Sequence, residues 1–203
     1  MSVEEHWNKI YGKKAPTEVS WYTPRLERSL AFIEQCELSP EARIIDVGAG
    51  ACTLADDLVG RGLDVTVLDV SHRALQRSRE RMGDRADNIT WRVDDVTQAE
   101  LPRAHYDLWH DRAVFHFLTE ADARQRYVAN VLRAVKPGGH VIVATFGLGG
   151  PEKCSGLEVV RYDADRLHGQ FGAPFHKMDS ATDLHKTPWG SEQEFTYCLC
   201  RRT

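Results

Sequence analysis

The stretch "IIDVGAGACTL" (residues 44–54) decides the fold. It closes a short apolar run, "ARIIDVG" (42–48), and opens a segment over 52–60 with Leu54, Ala55, Leu58 and Val59 at helical spacing. A buried strand that stops on glycine and passes straight into a helix is the first unit of a parallel strand–helix–strand repeat. Gly48 and Gly50 let backbone come close to a ligand where a side chain would clash. The helix start behind them adds free N–H groups and the positive end of a dipole.

The same alternation extends along the chain. Strand patterns lie at "LDVTVLDVS" (63–71), "ITWRVDDV" (89–96), "YDLWHD" (106–111) and "GHVIVATF" (139–146). Ser71 is placed to cap a helix over 72–82, and Thr119 with Asp122 resembles a capping box. The helix after Thr119 presents Tyr127, Val128, Val131, Leu132 and Val135 on one face and should end at "KPGG". Upstream, Thr23 and Pro24 open a helix over 24–36. Downstream, 175–180 and "EFTYCLCRR" (194–202) read as an antiparallel hairpin at the sheet edge. The expectation is an α/β fold: a doubly wound, mostly parallel seven-stranded sheet with an antiparallel C-terminal edge hairpin.

Composition narrows the function classes. The 203 residues include 42% hydrophobic and 28% charged ones, enough for one domain with a full core. A net charge of −4 argues against broad, sequence-blind nucleic-acid binding, which needs a cationic face. "MSVEEHWNKI" is polar and carries no signal pattern, and no run approaches the roughly 18 apolar residues of a membrane span. A cytoplasmic protein with no membrane partner is expected. The cysteines are Cys36, Cys52, Cys154, Cys198 and Cys200, an odd number with no CxxC, so free thiols are the default.

Asp69 ends the second strand 19 residues after Gly50, where a carboxylate can accept both hydroxyls of a ribose. The glycine pattern is incomplete in either register. GxGxxG would need glycine at Thr53, and DxGxGxG at Cys52. The second register has support from Asp46, two residues before Gly48 and placed to organise the loop, and from Asp95 at the end of strand three.

Over about residues 40–146 the order of motifs resembles the class I S-adenosylmethionine-dependent methyltransferases. "DVGAGAC" looks like the family's first motif, "VLDVS" the ribose-binding second and "DDV" the adenine-binding third. "VKPGGHVIVATF" is similar to the family's turn before strand five. The resemblance implies a Rossmann-like sheet, S-adenosyl-L-methionine as cofactor, and cofactor contacts from Asp46, Gly48, Ala49, Gly50, Asp69, Val70, Asp95 and Val96. Cys52 is the departure, standing where the pattern has its third glycine.

"YDLWHDRAVFHFLT" (106–119) places Asp107, His110, Asp111, Arg112 and His116 in an otherwise apolar run. In a doubly wound sheet the carboxyl ends of the strands line the ligand crevice, so this cluster is expected at its mouth. Asp111 is then placed to stabilise the sulfonium or the amino end of the methionine, and Arg112 to hold a carboxylate of cofactor or acceptor. His116 is placed to orient the acceptor or remove its proton. The plainer alternatives are an Asp111–Arg112 ion pair and a histidine satisfied under a lid. Asp107 and Asp111 share one strand face and His110 takes the other, so no metal set is expected.

Residues 1–38 read as a helical lid, 40–146 as the cofactor-binding core, and 147–203 as an acceptor-side insertion with C-terminal strands, all in one domain. Trp7, Tyr11, Trp21 and Tyr22 are the lid's aromatics, and Trp21 is expected to line the pocket by cation–π attraction. Cys154, Arg161 and His185 are possible acceptor contacts. With no long substrate domain, the expected acceptor is a small molecule and the protein a monomer or weak homodimer. "HDRAVFHF" resembles the "DRG" region of thiopurine and related thiol methyltransferases, which implies a thiol acceptor. The competing readings are a protein-lysine methyltransferase, a nicotinamide-dependent oxidoreductase and a non-catalytic cofactor-binding module.

Overall fold

The computed structural model describes residues 2–203; Met1, first residue of the expected lid, lies outside them. Strands β1 (Arg43–Val47), β2 (Asp64–Asp69), β3 (Ile89–Val93), β4 (Tyr106–Arg112) and β5 (Val135–Phe146) pair in parallel. Two long strands, β8 (Phe175–Lys186) and β9 (Glu192–Arg202), join them antiparallel. The seven-stranded order is β3-β2-β1-β4-β5-β9-β8, so strand order reverses between β1 and β4. That reversal opens a crevice above the carboxyl ends of the two strands. The hairpin therefore enters with its second strand inward: β9 pairs with β5, and β8 is the edge.

The central strands are covered on both faces, and their residues are buried accordingly. One face packs α2 (Glu27–Gln35), α3 (Leu54–Gly60) and α4 (His72–Met82) through Leu30, Ile33, Leu54, Leu58 and Leu75. The other packs α5 (Ala121–Ala134) and α6 (Ala164–Phe171) through Tyr127, Val131 and Leu167. A small two-stranded hairpin, β6 (Lys153–Cys154) with β7 (Leu157–Glu158), lies in the insertion after β5. The N-terminal helix α1 (Val3–Lys13) starts on a capping box at Ser2 and Glu5. It leans on α4, where Asn8 accepts hydrogen bonds from the Ser71 hydroxyl (2.8 Å) and the Arg73 N–H (3.3 Å).

Several local expectations shift. Ser71 caps α4 as anticipated, its hydroxyl accepting the Ala74 N–H. Thr119 does not cap α5; Glu120 holds the N-cap position without a side-chain bond, and Arg124 reaches back to the Leu118 and Thr119 carbonyls. "KPGG" does not form a separate turn. The helix ends at Ala134 and the strand begins at once, with Pro137–Gly139 absorbed as a register shift between Tyr106/Val135 and Leu108/His140. Gly138, at φ 79°, supplies the left-handed residue that such a bulge requires.

Candidate functional site

A cavity of about 340 Å³ lies above the β1/β4 switch point. Gly48, Asp69, Val70, Asp95 and Val96 line it from the ends of β1, β2 and the β3 loop. Arg112 and Phe117 line it from beyond β4, and Trp7, Tyr11 and Trp21 form its roof. The roof is a packed aromatic group. Trp7 meets Trp21 edge-on at 5.6 Å and Phe117 at 5.2 Å, and Tyr11 meets Trp21 at 6.2 Å. Cys154, from the β6/β7 hairpin, closes the same chamber.

The glycine turn depends on its residue types. Gly48 (φ 61°) and Gly50 (φ 57°) both occupy the left-handed region. A β-carbon on Gly48 would lie 1.8 Å from Cγ2 of Val114, and one on Gly50 would lie 2.3 Å from the Tyr11 hydroxyl. Asp69 ties the turn to β2. Its carboxylate accepts the Gly50 N–H at 2.8 Å and the Ser71 N–H at 2.7 Å. Burial pushes this carboxyl up to about 6, against the pull of those two N–H donors. Asp95 accepts from the Thr97 N–H and hydroxyl, both at 2.8 Å, which shapes the loop after β3.

Other anticipated site residues are placed differently, and the pleat explains why. Ala49 and Gly50 belong to the turn but not to the cavity wall. Asp46 is buried beneath the turn, where Oδ1 lies 2.7 Å from Nδ1 of His110, whose Nε2 lies 2.9 Å from the Ser29 hydroxyl. His110 is thus part of a buried polar cross-link from α2 to the sheet, not a residue at the crevice mouth. Asp111, on the opposite pleat face, also lies away from the cavity. It accepts the Val114 N–H (2.9 Å), the Phe115 N–H (3.1 Å) and the Tyr127 hydroxyl (2.6 Å). Burial pushes its carboxyl up to about 6. The alternative of an ion pair with Arg112 is not met, because adjacent strand residues point to opposite faces.

His116 is fully buried and outside the cavity wall. Its Nδ1 accepts the Phe146 N–H at 3.1 Å, so Nε2 carries the proton of the neutral ring. Burial, and then the charge of Arg112, push its pKa down to about 3. A ring already protonated at its other nitrogen and this hard to charge is not a base near neutral pH. Asp107 is tied to Lys136 at 2.8 Å and accepts the Arg43 N–H at 2.9 Å at the other end of β4. Arg161 holds the insertion together through the Leu148 and Gly150 carbonyls, and His185 meets the Ser20 carbonyl at 2.7 Å. Val114, Phe117 and Tyr11 were not singled out as ligand-lining from sequence. An aromatic in "FHF" directly after the polar run was the available signal for Phe117.

Comparison with known proteins agrees with this geometry. A family profile described as "Methyltransferase domain" matches residues 44–139. A mouse (Mus musculus) eEF1A lysine and N-terminal methyltransferase is 27% identical over 145 residues, covering 68% of this chain and 20% of its own. Nodulation protein S of Rhizobium tropici is 33% identical over 103 residues, covering 51% of this chain and 42% of its own. The ubiquinone biosynthesis O-methyltransferase of Alkalilimnicola ehrlichii is 32% identical over 117 residues, with coverages of 57% and 47%. The chain thus spans from about a fifth to about half of the length of these relatives. Among solved structures, one described by the conversion of a disulfide bond into a thioacetal group during echinomycin biosynthesis superposes with a TM-score of 0.81 at 18% identity, covering 99% of this chain and 92% of that one. A 1,6-didemethyltoxoflavin-N1-methyltransferase of Burkholderia thailandensis, with S-adenosylhomocysteine bound, superposes at 0.68 and 17% identity, covering 98% and 84%. With this strand order and its cavity at the switch point, the chain has the fold of these methyltransferases, and residues 44–139 match the methyltransferase-domain family.

Proposed function

We propose that the protein transfers a methyl group from S-adenosylmethionine to a small nucleophilic acceptor. The observation that carries this reading is the roofed cavity at the switch point, with Gly48, Asp69 and Asp95 arrayed along it in the order β1, β2, β3. That order suits a ligand laid across the strand ends: the turn at Gly48 under the methionine part, Asp69 at the sugar, Asp95 and Val96 at the base. The residues fit the cofactor. Gly48 and Gly50 bring no side chains of their own to the turn, and a buried carboxylate lies at the end of β2. When bound, the cofactor supplies an electrophilic methyl on a positive sulfur. The chain's own part is to align the acceptor, exclude water and favour the cationic ground state with aromatic faces. Trp7, Tyr11 and Trp21 serve the last two purposes.

Among the described residues no histidine lines the cavity wall. This favours an acceptor that reaches its nucleophilic form unaided, as a thiol or amine does, over an alcohol. The aromatic roof over a cavity of about 340 Å³ supports a small acceptor, and a monomer or weak homodimer is the state we propose. The free cysteines, four of the five buried, suit a reducing, cytoplasmic setting. Among the described residues no helix is long and apolar enough to cross a membrane. A second reading, methylation of a protein lysine, draws on the similarity to the eEF1A lysine methyltransferase.

Calorimetry with S-adenosylhomocysteine, beside the same titration with NADH, tests the cofactor. Binding of the first and not the second is expected, and the reverse would move the chain to hydride chemistry. Labelled methyl transfer into a lysate then separates the acceptors. Label in low-mass compounds supports the leading reading, and label in protein lysines supports the second.

A further inference from the structure

We propose that the acceptor binds as an anion, a carboxylate-class group on it being held by the guanidinium of Arg112. This rests on the methyl-transfer reading and names the substrate class for the same site.

Arg112 differs from the arginines of the surface. Arg25, Arg81, Arg85 and Arg161 each lie within 3.2 Å of a carboxylate. Arg112, half-buried in the cavity wall, has only neutral partners among the described residues. Its Nε donates to the Tyr197 hydroxyl at 3.1 Å, its Nη1 donates to the Trp21 carbonyl at 3.2 Å, and its guanidinium carbon stands 4.3 Å from the centre of the Phe195 ring. A guanidinium offers five N–H donors in a fixed fork. The remaining donors have no protein acceptor, and the charge has no counter-ion. A partly desolvated charge without a counter-ion is costly, and a planar anion offsets that cost with charge-assisted, bidentate bonds.

Position separates this charge from the cofactor's sugar and base. Asp69 ends β2, whereas Arg112 reaches from β4 over β5 toward Tyr197 on β9. Arg112 itself stands on β4, two strands from β2, so at about 4.8 Å between strands the two backbones are roughly 10 Å apart. Trp21, Phe117 and Cys154 line the same cavity as Arg112. An anionic acceptor seated there lies between Arg112 and the positive sulfur and is attracted by both. The transfer itself needs no further partner. The nucleophile's electron pair forms the new bond to the methyl carbon, the carbon–sulfur pair stays on sulfur, and any nucleophile proton leaves to water.

The test begins with S-adenosylhomocysteine binding to the wild type; failure there overturns the methyl-transfer reading itself. With that complex formed, matched pairs are titrated: mercaptoacetate against mercaptoacetamide, and benzoate against benzamide. At least one acid is expected to bind ten-fold or more tighter than its amide. That preference should disappear in Arg112→Gln and partly persist in Arg112→Lys, which keeps the charge but not the fork. S-adenosylhomocysteine affinity should change less than three-fold in both variants. Equal binding of acid and amide in every pair would overturn the anion site. A large loss of S-adenosylhomocysteine affinity in Arg112→Gln, with affinity for methylthioadenosine unchanged, would overturn it differently, by assigning Arg112 to the cofactor's own carboxylate.

Discussion

The two strand ends that flank the switch point have opposite characters. The end of β1 passes into the turn of Gly48, Ala49 and Gly50, of which Gly48 lines the cavity. The end of β4 passes into His110, Asp111 and Arg112, and two of these three side chains turn inward. Asp111 spends its oxygens on Val114, Phe115 and Tyr127, and His110 joins Asp46 to Ser29. One end presents a surface for a ligand; the other stiffens the walls around it. A polar residue at the carboxyl end of a strand is therefore not by itself a ligand contact. Pleat direction and the next turn decide whether it faces the crevice or braces it.

The contrast can be broken most directly at Asp111. Replacing it with alanine leaves two backbone N–H groups and a buried tyrosine hydroxyl without an acceptor, with an expected loss of about 3–5 kcal/mol of stability. Urea unfolding of Asp111→Ala beside Asp111→Asn measures it. A variant that folds as well as wild type while losing activity would return Asp111 to the catalytic role anticipated from sequence.

The ligand-facing side is tested at Asp69. Asp69→Ala should weaken S-adenosylhomocysteine binding by on the order of 1–3 kcal/mol through loss of charge-assisted hydrogen bonds. Unchanged affinity in calorimetry would remove Asp69 from the site. The same residue gives a smaller, graded effect in the wild type. Burial raises its carboxyl to about 6, so the charged form that would accept sugar hydroxyls under the proposed reading is depleted below that pH. Affinity should be flat above about pH 7 and fall toward ten-fold per pH unit below 6, about 1.4 kcal/mol per unit. For folding the sign is opposite. A carboxyl with a raised folded-state pKa favours the fold most below its unfolded value near 4, and that contribution is lost as pH rises through 6.

The smallest expected effect is at His116. Because burial and Arg112 hold its pKa near 3, the ring stays neutral across the working range. The pH profile of kcat/KM should show no step near 6.5 that disappears in His116→Asn. Its linkage to folding runs the other way from that of Asp69. Stability is fully present above pH 6.5 and declines as pH falls toward 3, a slope that His116→Asn should flatten in acid unfolding.

Most of the scaffold was legible because its signals are local. Apolar runs ending in glycine, Ser71 before an amphipathic segment, and alternation in "EFTYCLCRR" each report their own stretch of backbone. The strands at β1–β4 and β9 form at the patterns that predict them, whereas β5 starts early at Val135 and β8 runs on to Lys186 because pairing with β9 extends it beyond its own weak pattern. The proposed cofactor side was legible for the same reason, since Gly48, Asp69 and Asp95 lie at or just beyond the ends of their own strands. The proposed acceptor side was not. Arg112 meets Tyr197 and Trp21, 85 and 91 residues away, and Cys154 arrives on a separate hairpin.

By itself the sequence determined the order of strands and helices, the glycine turn and the acids that follow it, because hydrophobic period and backbone freedom are properties of neighbouring residues. Only the tertiary structure decided which polar groups of 106–119 face the cavity. That depends on the strand's pleat, on Tyr127 and Ser29 arriving from distant helices, and on the low tolerance of a packed interior for any polar group left without a partner.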